Sequence, residues 1–179
     1  YLVFDSAYDE NCHYSKSLIA SKDCMDVLFV KHSNYSYESI NCGKCYGMYF
    51  SEDCEQSHNV YFSKNLIGCN NCFGCINLKH KKYHIFNQLH SKEDYERKIK
   101  EFNLGSFEML QKTKKQVYDF WQKHPHKFSH QSRNRDVSGD NIYNSKNVHE
   151  SYYVFGAEDC KFCQFLSIKP IRDSYDYSL

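Results

Sequence analysis

Small and apolar residues recur at every third position through the first half of the chain. From Cys12 the series runs through Ser15, Leu18, Ser21, Cys24, Val27, Val30, Ser33, Ser36, Ser39, Cys42, Cys45 and Met48. It continues with Ser51, Cys54, Ser57, Val60, Ser63, Leu66, Cys69, Cys72, Cys75 and Leu78. Every position holds Cys, Ser or an aliphatic residue, in a chain that is 25% charged. The step returns with Ile142, Ser145, Val148, Ser151, Val154, Ala157, Cys160, Cys163 and Leu166. A flat strand alternates every second residue, so a step of three predicts short bridges with frequent corners. A helical face also lies near a step of three. The density of Asn, Ser and Tyr and the missing i+4 partner argue against helix.

A longer recurrence overlies the first. Asp23, Asn41, Asn59 and Asn77 are 18 residues apart, as are Ser15, Ser33, Ser51 and Cys69. Like residues at a fixed spacing predict coils stacked about 4.8 Å apart, with Asn side chains bonding up the column. The expected fold is mainly β: a β-solenoid with 18-residue coils, interrupted by a two-helix insertion. Coils are expected from about 8 to 78 and again from about 139 to 168, where Lys169-Pro170 ends the pattern. The resulting division is 1–78 solenoid, 79–138 insertion, and 139–179 resumed coil with tail. The two coil segments are expected to stack as one domain, and the chain reads as a piece of a longer protein.

Between Leu78 and Ile142 the step disappears. Lys79–Asn87 is compatible with a strand leaving the stack. Ser91 is a candidate N-cap, with Glu93 and Asp94 in the first turn and Tyr95, Ile99 and Phe102 on one face. Leu104-Gly105 breaks this helix. A second starts at Ser106, carries Phe107, Leu110, Val117 and Trp121 on one stripe, and ends at His124-Pro125. Two amphipathic helices need an apolar partner surface. The outward aromatics Tyr46, Tyr49, Phe50, Tyr61 and Phe62 are the expected seat.

Composition sharpens this picture. The chain has 16 Tyr and 13 Phe but only 7 Gly and 2 Pro, so Asn, Asp and Ser must fill the corners. Lys and Arg total 23 against 22 Asp and Glu, which gives no global argument for nucleic acid or an anionic membrane. No apolar run is long enough to span a bilayer, so no membrane partner is expected.

The 10 Cys residues need an explanation. Cys42-x2-Cys45 and Cys69-x2-Cys72-x2-Cys75 have zinc-like spacing, and His80 and His84 follow. All the Cys fall on the inward phase, where Ser substitutes for them in other coils. The preferred reading is packing thiols with no metal and no cofactor. A zinc site of Cys69, Cys72 and Cys75 with His80 or His84 is the alternative. Cys24 with Cys42, and Cys54 with Cys72, are the pairs near enough for disulfides. Alternation with Ser implies that no pairing is required, hence a reducing, cytoplasmic setting. His124, His126 and His130 read as a solvated loop.

The stretch Cys69-Asn70-Asn71-Cys72-Phe73-Gly74-Cys75-Ile76-Asn77-Leu78, with Lys79–Asn87 and Ser91–Tyr95, resembles a known group. It is similar to uncharacterised Cys-rich repeat proteins predicted in genomes of uncultured bacteria. In these a C-x2-C-x-G-C-x2-L block precedes a Lys-Tyr segment and a short helix. The similarity runs over most of the chain, including Asp173–Tyr177, and implies further Cys motifs upstream. It implies no activity.

A non-enzymatic structural or binding scaffold is therefore expected, with a protein or other ligand on the coil surface. The first alternative is a hexapeptide-like acyltransferase using His84, His90 or His149 as base. The second is a zinc-binding nucleic-acid or protein module using Lys79, Lys81 and Lys82. No Gly-rich phosphate loop, nucleophile elbow or paired-carboxylate motif is present.

Overall fold

The structure is a computed structural model and describes residues 8–14, 20–26, 31–166 and 171–178. Ser15, Leu18, Val27 and Val30 of the inward series lie outside the described residues, as do Lys169 and Pro170. The protein is mainly β with two helices. It divides into two compact units, Tyr1–His124 and Pro125–Leu179.

The first unit is a seven-stranded sheet. Strands β1 (Lys22–Met25), β2 (Asn34–Tyr37), β3 (Tyr46–Tyr49), β4 (His58–Tyr61), β5 (Asn70–Phe73) and β6 (Lys82–Ile85) pair in parallel. The register is 12 residues: Lys22 pairs with Asn34, Asn34 with Tyr46, Tyr46 with His58, His58 with Asn70, and Asn70 with Lys82. The 18-residue spacing expected from the Asn column is not the pairing register. Both numbers are multiples of three, so either preserves the inward phase. Pairing also continues past Leu78 through β6, where His84 takes an inward slot. Strand β7 (Gln88–Leu89) then folds back antiparallel on β6.

Backbone conformation explains the step of three. From Asn41 to Phe86 every third residue is left-handed, with φ between 46° at Phe86 and 67° at Gly47. Each triplet is one extended residue, one left-handed residue and one inward residue. The left-handed residue turns the chain, so the two-residue alternation of a strand never develops. Asn and Asp tolerate that conformation, but Phe50 and Phe62 also adopt it, at a cost of roughly 1–2 kcal/mol each. The ladder offsets the cost. The N–H of the extended residue donates to the next segment, as Tyr46 does to Ser57 O at 3.1 Å. The N–H of the left-handed residue donates to the previous one, as Phe62 does to Tyr49 O at 2.8 Å.

Outside the strands this ladder leaves inward N–H groups without a backbone partner, and at several positions an inward side chain supplies one. Ser57 Oγ accepts from Cys69 N at 3.1 Å and donates to Glu55 O at 2.9 Å. Ser33 does the same for Cys45 N, and Ser63 for Cys75 N. One thiol takes the same place: Asn87 N donates to Cys75 Sγ at 3.5 Å, and Cys75 Sγ donates to Phe73 O at 3.3 Å. A buried amide without a partner costs about 1–3 kcal/mol, which accounts for a core rich in Ser and Cys. Outside, Asn41 Nδ2 reaches Asp53 at 3.0 Å and Asn65 Nδ2 reaches Asn77 at 2.6 Å, again 12 residues apart.

Helix α1 spans Lys92–Glu101, and Ser91 caps it by accepting from Asp94 N. Helix α2 spans Phe107–Trp121, with Ser106 at its N-cap. Both helices fall where the sequence pattern places them, but Phe107 of the expected second stripe is exposed. Their stripes pack on outward aromatics of the same unit: Tyr95 and Val117 are buried with Phe62, Phe73 and Ile85. Phe73 stacks on Phe102 at 4.3 Å. Tyr46 stays exposed, so the seat lies closer to β5 and β6 than expected.

The second unit holds β8 (Gln131–Ser132), β9 (Arg135–Tyr143), β10 (Lys146–Phe155), β11 (Ala157–Lys161), β12 (Gln164–Leu166) and β13 (Ile171–Arg172). Its pairing is parallel and begins at Gln131, earlier than residue 139. The register is 12 between β10 and β11, where Val148 meets Cys160. It is 14 between β11 and β13, where Ala157 meets Ile171, so the sequence step fails at this point. Leu78 packs against the core of the first unit, and Ile142 lies in that of the second.

Candidate functional site

The cysteines singled out for zinc are core residues. Cys69, Cys72 and Cys75 are fully buried on successive triplets. Their sulfurs donate to backbone carbonyls: Cys69 to Ile67 O and Leu78 O, both at 3.5 Å, and Cys72 to Asn70 O at 3.6 Å. His84 lies one register step from Cys72, with Nδ1 at 2.7 Å from Lys82 O. His80 is exposed and faces Gly68, where a β-carbon would fall 2.6 Å from its Nδ1. Cys69, Cys72 and Cys75 are therefore successive inward positions of one layer, and His80 and His84 belong to the next, His80 on its exposed side. Among the described residues no group of three or more His, Cys, Asp or Glu is placed to hold a metal ion. All ten Cys are free thiols. The pairs 18 apart are not register neighbours; Cys12 with Cys24, and Cys42 with Cys54, are. Burial pushes the Cys24 and Cys45 thiols up to about 12, so these groups are neutral and unreactive at ordinary pH.

The histidines considered as bases lie in different places. His84 is buried against the stack. His90 is held below its ordinary value by burial and by Lys98. His149 contacts Asn147 Oδ1 at 2.9 Å, with Asp136 at 3.9 Å, in the second unit. Lys79, Lys81 and Lys82 are exposed on the first.

An open cleft of about 400 Å³ lies between α2 and the stacked segments of the first unit. Its floor is a column of left-handed residues one register step apart: Asp26, Glu38, Phe50 and Phe62. Phe50 and Phe62 stack at 4.7 Å and 11°. Gly74 continues the column, because a β-carbon there would fall 2.8 Å from the Phe86 ring. Ile40 and Glu52 form the adjacent column, and α2 contributes Lys114, Val117, Tyr118 and Trp121. Lys114 Nζ sits 2.8 Å from Glu38 and 4.3 Å from the Phe50 ring centroid. Lys64 pairs with Glu52 at 2.6 Å. None of the candidate histidines and none of the cysteines lines this cleft. The sequence reading identified its aromatic floor but missed Asp26, Glu38, Glu52 and Lys114. Glu38 and Phe50 were recognisable only with a 12-residue register.

Comparison with protein-family models, curated proteins and solved structures gave no match. Among the described residues no helix is long and apolar enough to cross a membrane.

Proposed function

We propose that the chain is a β-solenoid of 12-residue coils, each made of four triplets, and that it serves as a non-enzymatic binding scaffold. In this reading the stack is a rigid support, α1 and α2 are a side-mounted element, and the cleft beside α2 takes the partner. The observation that carries it is where the reactive groups are spent. Thiols and hydroxyls close inward hydrogen bonds of the stack, and the open cleft is lined by aromatics, carboxylates and Lys114, with no cysteine, serine or histidine. A reducing, cytoplasmic setting fits the ten free thiols. The resemblance to Cys-rich repeat proteins belongs to the same proposal, since the C-x2-C-x2-C block is three successive inward positions of one coil.

Trp121, the single Trp of the chain, lines the cleft and reports on it. Its fluorescence is to be titrated with a panel of short basic, acidic and neutral peptides. A saturable change with at least one of them, lost in Tyr118→Ala, supports the scaffold. No response across the panel contradicts it. So does acetyl-coenzyme A turnover that depends on His84, His90 or His149.

A further inference from the structure

The floor of the cleft changes character along its length. Phe50 and Phe62 lie beneath α2, and the column then becomes acidic at Glu38 and Asp26. Across this boundary Lys114 reaches down from α2, its ammonium 4.3 Å above Phe50 and 2.8 Å from Glu38. An aromatic face with a carboxylate beside it is the arrangement that holds a cation. The protein already fills that arrangement with a side chain of its own.

Charge around the cleft is not balanced. Three carboxylates, Asp26, Glu38 and Glu52, line it against one lining cation, Lys114. Lys64 pairs with Glu52 from the next position of its column. Asp26 has no ion pair among the described residues. Tyr118 is 59% exposed and Ile40 40%, giving apolar walls for the methylene stem of a long basic side chain. Beyond Asp26 the column continues at exposed Tyr14, and exposed Met25 adjoins Asp26 in the chain.

We infer that this cleft recognises a lysine or arginine side chain of a basic peptide segment, which docks on Asp26 and Glu38 and displaces Lys114 from Phe50. The inference rests on the scaffold reading and names its partner class. A peptide fits better than a free amine because the exposed Met25 and Tyr14 offer ground for the residues that flank the basic one. A small amine leaves that surface unused. Lys114 acts as an internal competitor, so the empty-handed protein keeps its carboxylate covered.

The test is a Trp121 fluorescence titration with a capped Gly-Lys-Leu-Lys-Gly peptide, the same peptide with both lysines acetylated, and spermidine. The basic peptide should bind saturably and at least tenfold more tightly than the acetylated one. The Asp26→Asn, Glu38→Gln double variant should weaken it at least fivefold, with the circular dichroism of the parent retained. Lys114→Met should tighten it severalfold, because the competitor is gone while the stem remains. Equal binding of the acetylated peptide, or weaker binding by Lys114→Met, overturns the inference. Spermidine binding as tightly as the peptide overturns the peptide assignment in favour of a small polyamine. A response only to acidic or neutral peptides sinks the cation assignment and leaves the scaffold standing, whereas silence across all peptides sinks both.

Discussion

Ser57→Ala removes one oxygen from the middle of the first unit. Ser57 is fully buried. Its Oγ accepts from Cys69 N at 3.1 Å and donates to Glu55 O at 2.9 Å. Alanine fits the space and loses little apolar contact, so packing alone predicts almost no change. The hydrogen-bond account predicts otherwise. Cys69 N–H is left buried without an acceptor, which costs about 1–3 kcal/mol. For a chain of this size the corresponding loss is about 2–4 °C for each kcal/mol. Ser57→Cys keeps an acceptor at the same place and should fall below about 1 kcal/mol, within the cost of the larger atom. Urea unfolding followed by Trp121 fluorescence reads the unit that contains both groups. The expected result is a lower midpoint at unchanged slope for Ala, with Cys close to the parent. Parent-like stability of Ser57→Ala, or a Cys variant worse than Ala, would refute the idea that inward hydroxyls and thiols are there to close the amide.

Gly68→Ala should destabilise by at least about 1 kcal/mol, since φ is +62° and the new β-carbon meets the His80 ring; His80→Ala in the same chain should recover part of the loss in a thermal melt. Stability should fall as pH rises above 9, because the unfolded thiols ionise near 9.0 while folded Cys24 and Cys45 hold their protons to about 12. The unfolded chain then binds fewer protons than the folded one, so the slope is negative, and urea midpoints from pH 7 to 10 check it. Over the same range, a thiol reagent at pH 8 should label the native protein slowly and the unfolded protein at all ten positions. Zinc removal by a chelator should leave the melting temperature unchanged; about one zinc per chain lost on Cys72→Ser would reverse the assignment of the Cys69, Cys72 and Cys75 thiols.

The inward phase was legible because its physical basis is strict. An inward slot in a narrow core admits no charge, and Cys, Ser and aliphatic residues mark it from Cys12 to Leu78. Ser91 announced α1, because a cap needs an oxygen at that point. The register was not legible from the Asn column. Every left-handed position favours Asn, so Asn41, Asn59 and Asn77 recur at any multiple of three. The discriminating signal was aromatic: Tyr37, Tyr49, Tyr61 and Phe73 are 12 apart, and Tyr49 stacks on Tyr61 at 5.0 Å and 6°. Within the paired segments the stacked rings are register neighbours, whereas Asn marks a conformation. The left-handed state itself was hidden by residues such as Phe50 and Phe62, which local preference would not place there. The acidic end of the cleft was missed for the same reason, since Asp26, Glu38 and Phe50 form a column only at the shorter spacing.

Oxidative cross-linking of paired variants decides between the two spacings. Asn65 and Asn77 are in contact through Nδ2 and Oδ1 at 2.6 Å, one 12-residue step apart. Neighbouring segments of a sheet lie about 4.8 Å apart, inside the range of about 4.4–6.8 Å between the Cα atoms of a disulfide. Asn59 and Asn77 are 18 apart and belong to different columns. Under mild oxidant, with peptide mapping to separate the new pair from the buried native thiols, Asn65→Cys with Asn77→Cys should cross-link within the folded monomer. Asn59→Cys with Asn77→Cys should remain reduced. Cross-linking of the second pair and not the first would contradict the 12-residue coil.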